Sequence, residues 1–268
     1  MNFGNWTPEE LLCFFMVLMR LSTLMVVLPI FGDKTVPAPV KILLSITFSA
    51  ILFPILKSNG SVRIEDAAVW SETTGKLLMT IASEIMVGLT VGFVAQLVFH
   101  AIQVAGDFFS QFMGLSMASM YDPHMENQTM VLGQFMSALA ILTFLALDGH
   151  HTLLRAIIET FNLIPQGHFV VNEAFKNSMV GLVGNTVLFG LQLTAPMSAC
   201  MLLVNIVYGI VGKALPQLNI LTLSMASSVM IGGFVLLVTY PSVQSGMASI
   251  FQTHFEDLKQ FMVVYGGK

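Results

Sequence analysis

The sequence predicts an all-α fold of the polytopic integral-membrane type, and three observations carry that prediction. Hydrophobic residues make up 55% of the 268 and charged residues only 10%, for a mean hydropathy of +0.81, whereas a soluble domain uses roughly a quarter charged residues to face water. Apolar runs of helical length recur along the chain and are separated by Pro, Gly, Asp and Asn, the residues that stop helices and make turns. Short strands of alternating hydrophobicity are absent from the sequence, which removes the pattern of an outer-membrane barrel. No fixed-period repeat or low-complexity tract divides the chain, so residues 1–268 read as one domain, with 241–268 as an amphipathic C-terminal tail.

The first run, Leu11 to Phe31, opens on Thr7-Pro8-Glu9-Glu10. A threonine cap, proline at the first helical position and acids in the first turn form a strong helix start. The N-terminus lacks the positive region of a cleavable signal, so this segment is expected to be retained as an anchor. Arg20 falls in mid-run and requires a partner or a polar cavity, because a lone central charge in lipid is costly. Pro29 and Gly32-Asp33 end the run.

Ile42 to Leu56 is the second run, closed by Pro54. At about 15 residues it is short of the roughly 20 needed to span a bilayer. Lys57 to Lys76 reads as a solvated connection with a short amphipathic piece around Ile64 to Trp70. Leu77 to Val104 then forms one helix of roughly 42 Å at about 1.5 Å per residue, long enough to tilt or project beyond a hydrocarbon core of about 30 Å.

Met130 to Leu147 is the fourth run, broken by Asp148-Gly149-His150-His151, and His151 to Ile164 is amphipathic. Asn177 to Val211 is either one helix kinked at Pro196 or two that meet there. Ile220 to Tyr240 follows, and beyond Pro241 apolar residues return at helical spacing (Val243, Met247, Ile250, Leu258). Lysines and arginines fall in several loops, so the positive-inside rule leaves orientation open.

Charge and motif patterns exclude several function classes. The net charge of -4 arises from 15 acidic and 11 basic residues with no basic run, so nucleic acid has no electrostatic footprint. Cys13 and Cys200 sit in apolar runs as small buried residues, without disulfide or metal-ligand spacing. His150 and His151 are adjacent, so on a helix they diverge to different faces, and no carboxylate follows at ligand spacing; a turn role fits better than a metal. Gly212-Lys213 lacks the glycine-rich loop of a phosphate cradle, and no nucleophile elbow occurs. No enzyme, cofactor or metal site emerges.

Two patterns remain. Glu84, Gly88, Gly92, Gln96, His100, Gln103 and Asp107 share one helix face. Small and polar residues on one stripe suit close helix packing at a subunit interface. The alternative is a small-molecule or ion transporter with a Glu84/His100/Asp107 proton relay, disfavoured because the intervening Gln and Gly carry no transferable proton. The second pattern is Ala105 to Asn127, where Gly106, Gly114 and serines lie among Met113, Met117, Met120 and Met125 before Asp122-Pro123. Of the 19 methionines, those at helical spacing here read first as gap-filling and second as a deformable seal.

Five motifs in order carry a family resemblance: Pro29-Ile30-Phe31-Gly32 with Pro37-Ala38-Pro39-Val40-Lys41; Glu84, Gly88 and Gly92-Phe93; Ala105-Gly106 with Gln111 and Gly114, running on to Asp122-Pro123; Gly149-His150; and Pro216-Gln217-Leu218-Asn219. From about Leu11 to Tyr240 the chain resembles the FliR-type subunits of the flagellar type III export gate, and the homologous injectisome subunits share these features. It departs from the common pattern in having Ala226 and serines where a proline often follows the last motif, and one extra residue between Gln111 and Gly114.

The resemblance implies a non-enzymatic, conducting subunit. Its helical hairpins would pack with FliP-type and FliQ-type subunits into a helical assembly in the inner membrane at the flagellar basal body, many helices being raised out of the bilayer plane. FlhB-type and FlhA-type export components would be partners, membrane lipid would surround it, and unfolded flagellar proteins would pass. Energy would come from partners, so no cofactor is implied. Gly106, Gln111, Gly114, Met117, Met120, Asp122 and Pro123 would belong to a pore plug. Glu84, Gly88, Gly92, Gln96, Gln103, Asp107, Pro216, Gln217 and Asn219 would lie at subunit interfaces.

Overall fold

A computed structural model describes residues 6–28, 36–114, 131–217 and 219–266. Among these residues the chain is helical throughout, without a strand. The helices are α1 (Pro8–Val27), α2 (Ala38–Ser58), α3 (Glu65–Ser71), α4 (Thr74–Phe112), α5 (Val131–Ala146), α6 (Gly149–Leu163), α7 (Glu173–Ala214) and α8 (Ile220–Gly266). Five of them are long and apolar enough to cross a membrane: α1, α2, α4, α7 and the Ala226–Val263 part of α8.

The start of α1 follows its sequence signals. Thr7 Oγ1 accepts from the Glu10 amide at 3.3 Å, and the Thr7 amide donates back to Glu10 Oε2 at 3.2 Å, so the two satisfy each other's orphan amides in a capping box. The Glu10 carboxylate also pairs with Lys57 at the end of α2, which holds α1 and α2 as an antiparallel hairpin. Trp6, Phe14 and Phe53 stack across it with centroids 5.2 to 5.8 Å apart.

Three boundaries differ from the sequence reading, and the choice left open at Pro196 falls on one helix. The second helix runs 21 residues, Ala38–Ser58, and carries Pro54 inside it; at about 1.5 Å per residue it is long enough to span a bilayer. The third run reaches Thr74–Phe112, 39 residues, or about 58 Å. Pro196 lies inside the continuous 42-residue α7, and Pro241 inside the 47-residue α8. A proline removes one backbone hydrogen bond and crowds the preceding turn. Here the flanking apolar residues are held by packing: Leu52, Phe53 and Leu56 around Pro54, Leu193 and Met197 around Pro196, and Val243, Met247 and Ile250 after Pro241 are all buried. Residues 241–266 of the amphipathic segment continue α8, and apolar residues of it such as Val243, Met247 and Leu258 are buried. The Ile64 to Trp70 piece is α3, with Ala67 and Trp70 inward.

The chain forms two compact units, each discontinuous in sequence. The first comprises residues 1–97, 149–182 and 254–268. In it α1 packs on α2 and α3, and α2 touches α6. The end of α8 is fastened by His254 Nε2, 2.7 Å from the Val94 carbonyl of α4, and by Phe261 stacking on Phe175 of α7. The second unit comprises residues 98–148 and 183–253. Its centre is a triad of Phe99 (α4), Phe144 (α5) and Phe251 (α8), with centroids 5.2 to 5.6 Å apart. Offset and edge-on ring pairs of this kind add to the area they bury.

Candidate functional site

The strongest chemistry in the chain is a buried charge cluster in the first unit. Arg20 on α1 and Glu84 on α4 are both 0% exposed. Arg20 Nε donates to Glu84 Oε2 at 2.7 Å and Nη2 to Oε1 at 3.1 Å, a bidentate pair of the strong, directional kind. The rest of the guanidinium fork is also used. Nη1 donates to the Thr160 and Ile164 carbonyls at 3.1 and 3.2 Å, and Nη2 to Ile164 at 3.2 Å. Both carbonyls lie at the C-terminal end of α6, where carbonyls carry partial negative charge; the Thr160 oxygen also accepts from the Ile164 amide. The Phe161 ring lies 4.3 Å from the guanidinium carbon, adding a cation–π contact. Glu84 Oε1 accepts in addition from the Gly167 amide at 2.8 Å. Gly167 has φ +78°, the left-handed backbone that lets the turn after α6 aim its amide at the carboxylate.

The glycines of the stripe explain how the two helices reach each other. A Cβ on Gly88 would stand 2.6 Å from the Arg20 carbonyl and would overlap Thr23; one on Gly92 would stand 2.8 Å from Val27 Cβ. Small residues let α4 lie directly on the α1 backbone. Glu84, Gly88 and Gly92, expected at a subunit interface, are buried against α1 of the same chain. This placement also weakens the relay, since Glu84 is neutralised by a guanidinium that does not release its proton. Of the other stripe residues, Gln96, Gln103 and Asp107 are half-buried and His100 is exposed.

In the second unit, Gly106 on α4 abuts the backbone of α5: a Cβ there would lie 2.8 Å from the Leu132 carbonyl and 2.9 Å from Gly133 Cα. The Asp107 carboxylate covers Gly133 in return. Met113 is buried against Gly232 of α8, where a Cβ would meet its side chain at 2.5 Å. Gly190 of α7 similarly admits the Ala101 carbonyl, 2.9 Å from its would-be Cβ. Asn205 Nδ2 reaches the Phe112 carbonyl at 3.2 Å. The end of α4 is thereby tied to α5, α7 and α8 within this unit.

Gln111 is exposed, and Gly114 donates to its carbonyl at 3.0 Å in a turn with φ +75°. No described atom lies within 4 Å of a Cβ built on Gly114. Its requirement is thus conformational, whereas Gly106 is the position set by tight packing. Met117, Met120, Met125, Asp122 and Pro123 lie outside the described residues, as does the Pro29-Ile30-Phe31-Gly32 motif. Pro216, Gln217 and Asn219 are exposed in the connection between α7 and α8.

His150 and His151 differ from the sequence reading. Their rings lie 4.1 Å apart at the centroids, because in the first turn of α6 no preceding turn restricts the side-chain torsions. Asp148 at the end of α5 adopts φ 54°, which Asp tolerates better than most residues.

Arg20 and its pairing with Glu84 are the functional feature that sequence reasoning left unjoined. The available signal was two solitary charges of opposite sign, each centred in an apolar run.

The comparisons with known proteins agree with this architecture. The family model described as bacterial export proteins, family 1, matches residues 11–254. The flagellar biosynthetic protein FliR of Bacillus subtilis is 27% identical over 256 residues, covering 94% of this chain and 95% of that protein. FliR of Escherichia coli K12 is 27% identical over 242 residues (90% and 89%), and that of Aquifex aeolicus 24% over 257 (96% and 96%). With nearly its whole length matched, the chain belongs to the bacterial export proteins, family 1.

Proposed function

We propose that the chain is the FliR-type subunit of a flagellar type III export gate, a conducting and structural component rather than an enzyme. The observation that carries the reading is the contrast between its apolar helices. In the most apolar stretch of α4, 61% of residues are buried, against 28% in α7 and 17% in α8. The long α7–α8 pair therefore offers extended apolar faces that suit lipid and neighbouring subunits. The high coverage of FliR relatives supports a flagellar system over an injectisome.

In this reading α7 and α8 pack with FliP-type and FliQ-type subunits in the inner membrane at the basal body. FlhB-type and FlhA-type components dock on that assembly, and unfolded flagellar proteins cross it. The segment from Gly106 through Gly114 to Asp122-Pro123 closes the pore, with Met117 and Met120 as deformable contacts. Gln96, Gln103, Asp107, Gln217 and Asn219, together with Pro216, make subunit contacts in this reading.

The test is co-expression with P- and Q-type subunits, followed by affinity purification and export assays in a strain lacking its own FliR-type subunit. Recovery of a mixed complex and restored export are the expected results. A stable, transport-active oligomer of this chain alone would overturn the proposal.

A further inference from the structure

In the first unit, the connection after α2, the start of α3 and the segment after α6 enclose a cavity of about 620 Å³, within the usual range for small-ligand sites. Arg63, Asp66, Asn162, Gln166 and His168 line it, with Phe161 as an apolar wall. Gln166 is 4% exposed. Its Nε2 donates to the Cys13 carbonyl at 3.5 Å, while its Oε1 meets no donor among the described residues. A buried acceptor without a donor is destabilising, so a group that supplies one is favoured there.

The other lining groups set the character of that donor. His168 Nδ1 donates to the Gln166 carbonyl at 3.0 Å, since a carbonyl only accepts. Asp66 adds a carboxylate and Arg63 a single cation. The cavity therefore sets a carboxylate and a donor-less amide oxygen beside a guanidinium, and complements a ligand carrying both an ammonium and an anion.

Its place in the fold indicates where such a ligand comes from. Trp6, half-buried, stands just before α1 at this end. The exposed apolar residues Leu11, Ile51 and Ile55 of α1 and α2 flank the same end. Tryptophans beside apolar helix faces mark the headgroup level of a bilayer. We propose that this cavity binds the headgroup of phosphatidylethanolamine, the ammonium on Asp66 and Gln166 Oε1 and the phosphate on Arg63. The inference rests on the membrane character of α1 and α2, not on export.

The test uses the full chain, purified in detergent and stripped of lipid, with native mass spectrometry after adding phosphatidylethanolamine or phosphatidylglycerol. Wild type should retain the ethanolamine lipid at least tenfold better. Asp66→Asn and Arg63→Ala, at half-buried and exposed positions, should each lose at least tenfold while keeping the unfolding temperature of the stripped protein. Free phosphoethanolamine displacing the lipid at equal concentration would support the headgroup chemistry and assign it to a soluble ligand. Equal retention of the two lipids, or unchanged retention by Asp66→Asn, would overturn the proposal.

Discussion

Replacing Arg20 with leucine tests the charge cluster most directly. The substitution removes two hydrogen bonds to Glu84 and three to the α6 carbonyls. Glu84 then keeps only the Gly167 amide and remains buried without a counter-charge, at a cost of about 3–5 kcal/mol. Glu84→Leu alone strands the guanidinium and should cost a similar amount. In the double variant both charges are gone, and the losses are smaller in kind. Thr160 O still accepts from the Ile164 amide at 2.9 Å, so the groups left without their partner are the Ile164 carbonyl and the Gly167 amide. At about 1–3 kcal/mol each, the double variant should fall roughly 2–6 kcal/mol below wild type, far less than the roughly 6–10 kcal/mol sum of the single losses. The assay is thermal aggregation of the detergent-purified chain together with its level in the membrane fraction, for wild type, both single variants and the double. Losses that simply add would refute the reasoning, because the two residues would then act independently. Arg20→Lys should also fail, since a point charge cannot serve the carboxylate and two carbonyls in one planar fork.

The other predictions address packing and backbone. Gly88→Ala should destabilise by about 1–3 kcal/mol, as its Cβ meets the Arg20 carbonyl 2.6 Å away; recovery of folded chain after solubilisation measures this. Gly106→Val should force α4 from α5 and lower that recovery further, because the neighbours at 2.8 and 2.9 Å are backbone atoms. Gly114→Asn should export closer to wild type than Gly114→Val: the backbone at φ +75° disfavours a β-branched residue by about 1–2 kcal/mol or more, while Asn tolerates it. Equal export by the two variants would show that this backbone conformation is not needed. Phe251→Ala should cost about 3–5 kcal/mol by opening the Phe99–Phe144–Phe251 triad, read as a lower unfolding temperature.

Helix ends and prolines show how far local sequence reached. Thr7-Pro8-Glu9-Glu10 specified the start of α1 because a capping box is built from residues three apart, and the Asp148-Gly149 break marked the end of α5. Pro54 and Pro241 misled the element boundaries and Pro196 left two readings open, since a proline's local penalty is weighed against burial of residues such as Phe53, Met197 and Met247, which depends on distant helices. The Ala105 to Asn127 segment was legible as a glycine-rich, methionine-rich anomaly, yet Gly106 and Gly114 meet different demands. Gly106 is confined by Leu132 and Gly133 on another helix, while Gly114 is governed by its own backbone angle. Composition could not separate the two.

By itself, the sequence determined an all-α membrane-type chain, because hydropathy and helical period are properties of neighbouring residues. The order of its motifs likewise points to an export-gate family without reference to any contact. Only the tertiary structure decided what the polar stripe of α4 does. Arg20 and Glu84 lie 64 positions apart, and nothing in either run states the register at which α1 crosses α4. That register follows from Gly88 and Gly92 admitting the α1 backbone and from the α6 carbonyls completing the guanidinium's hydrogen bonds. A charge in mid-helix announces that it must be paired; which residue pairs with it is settled by how the helices cross.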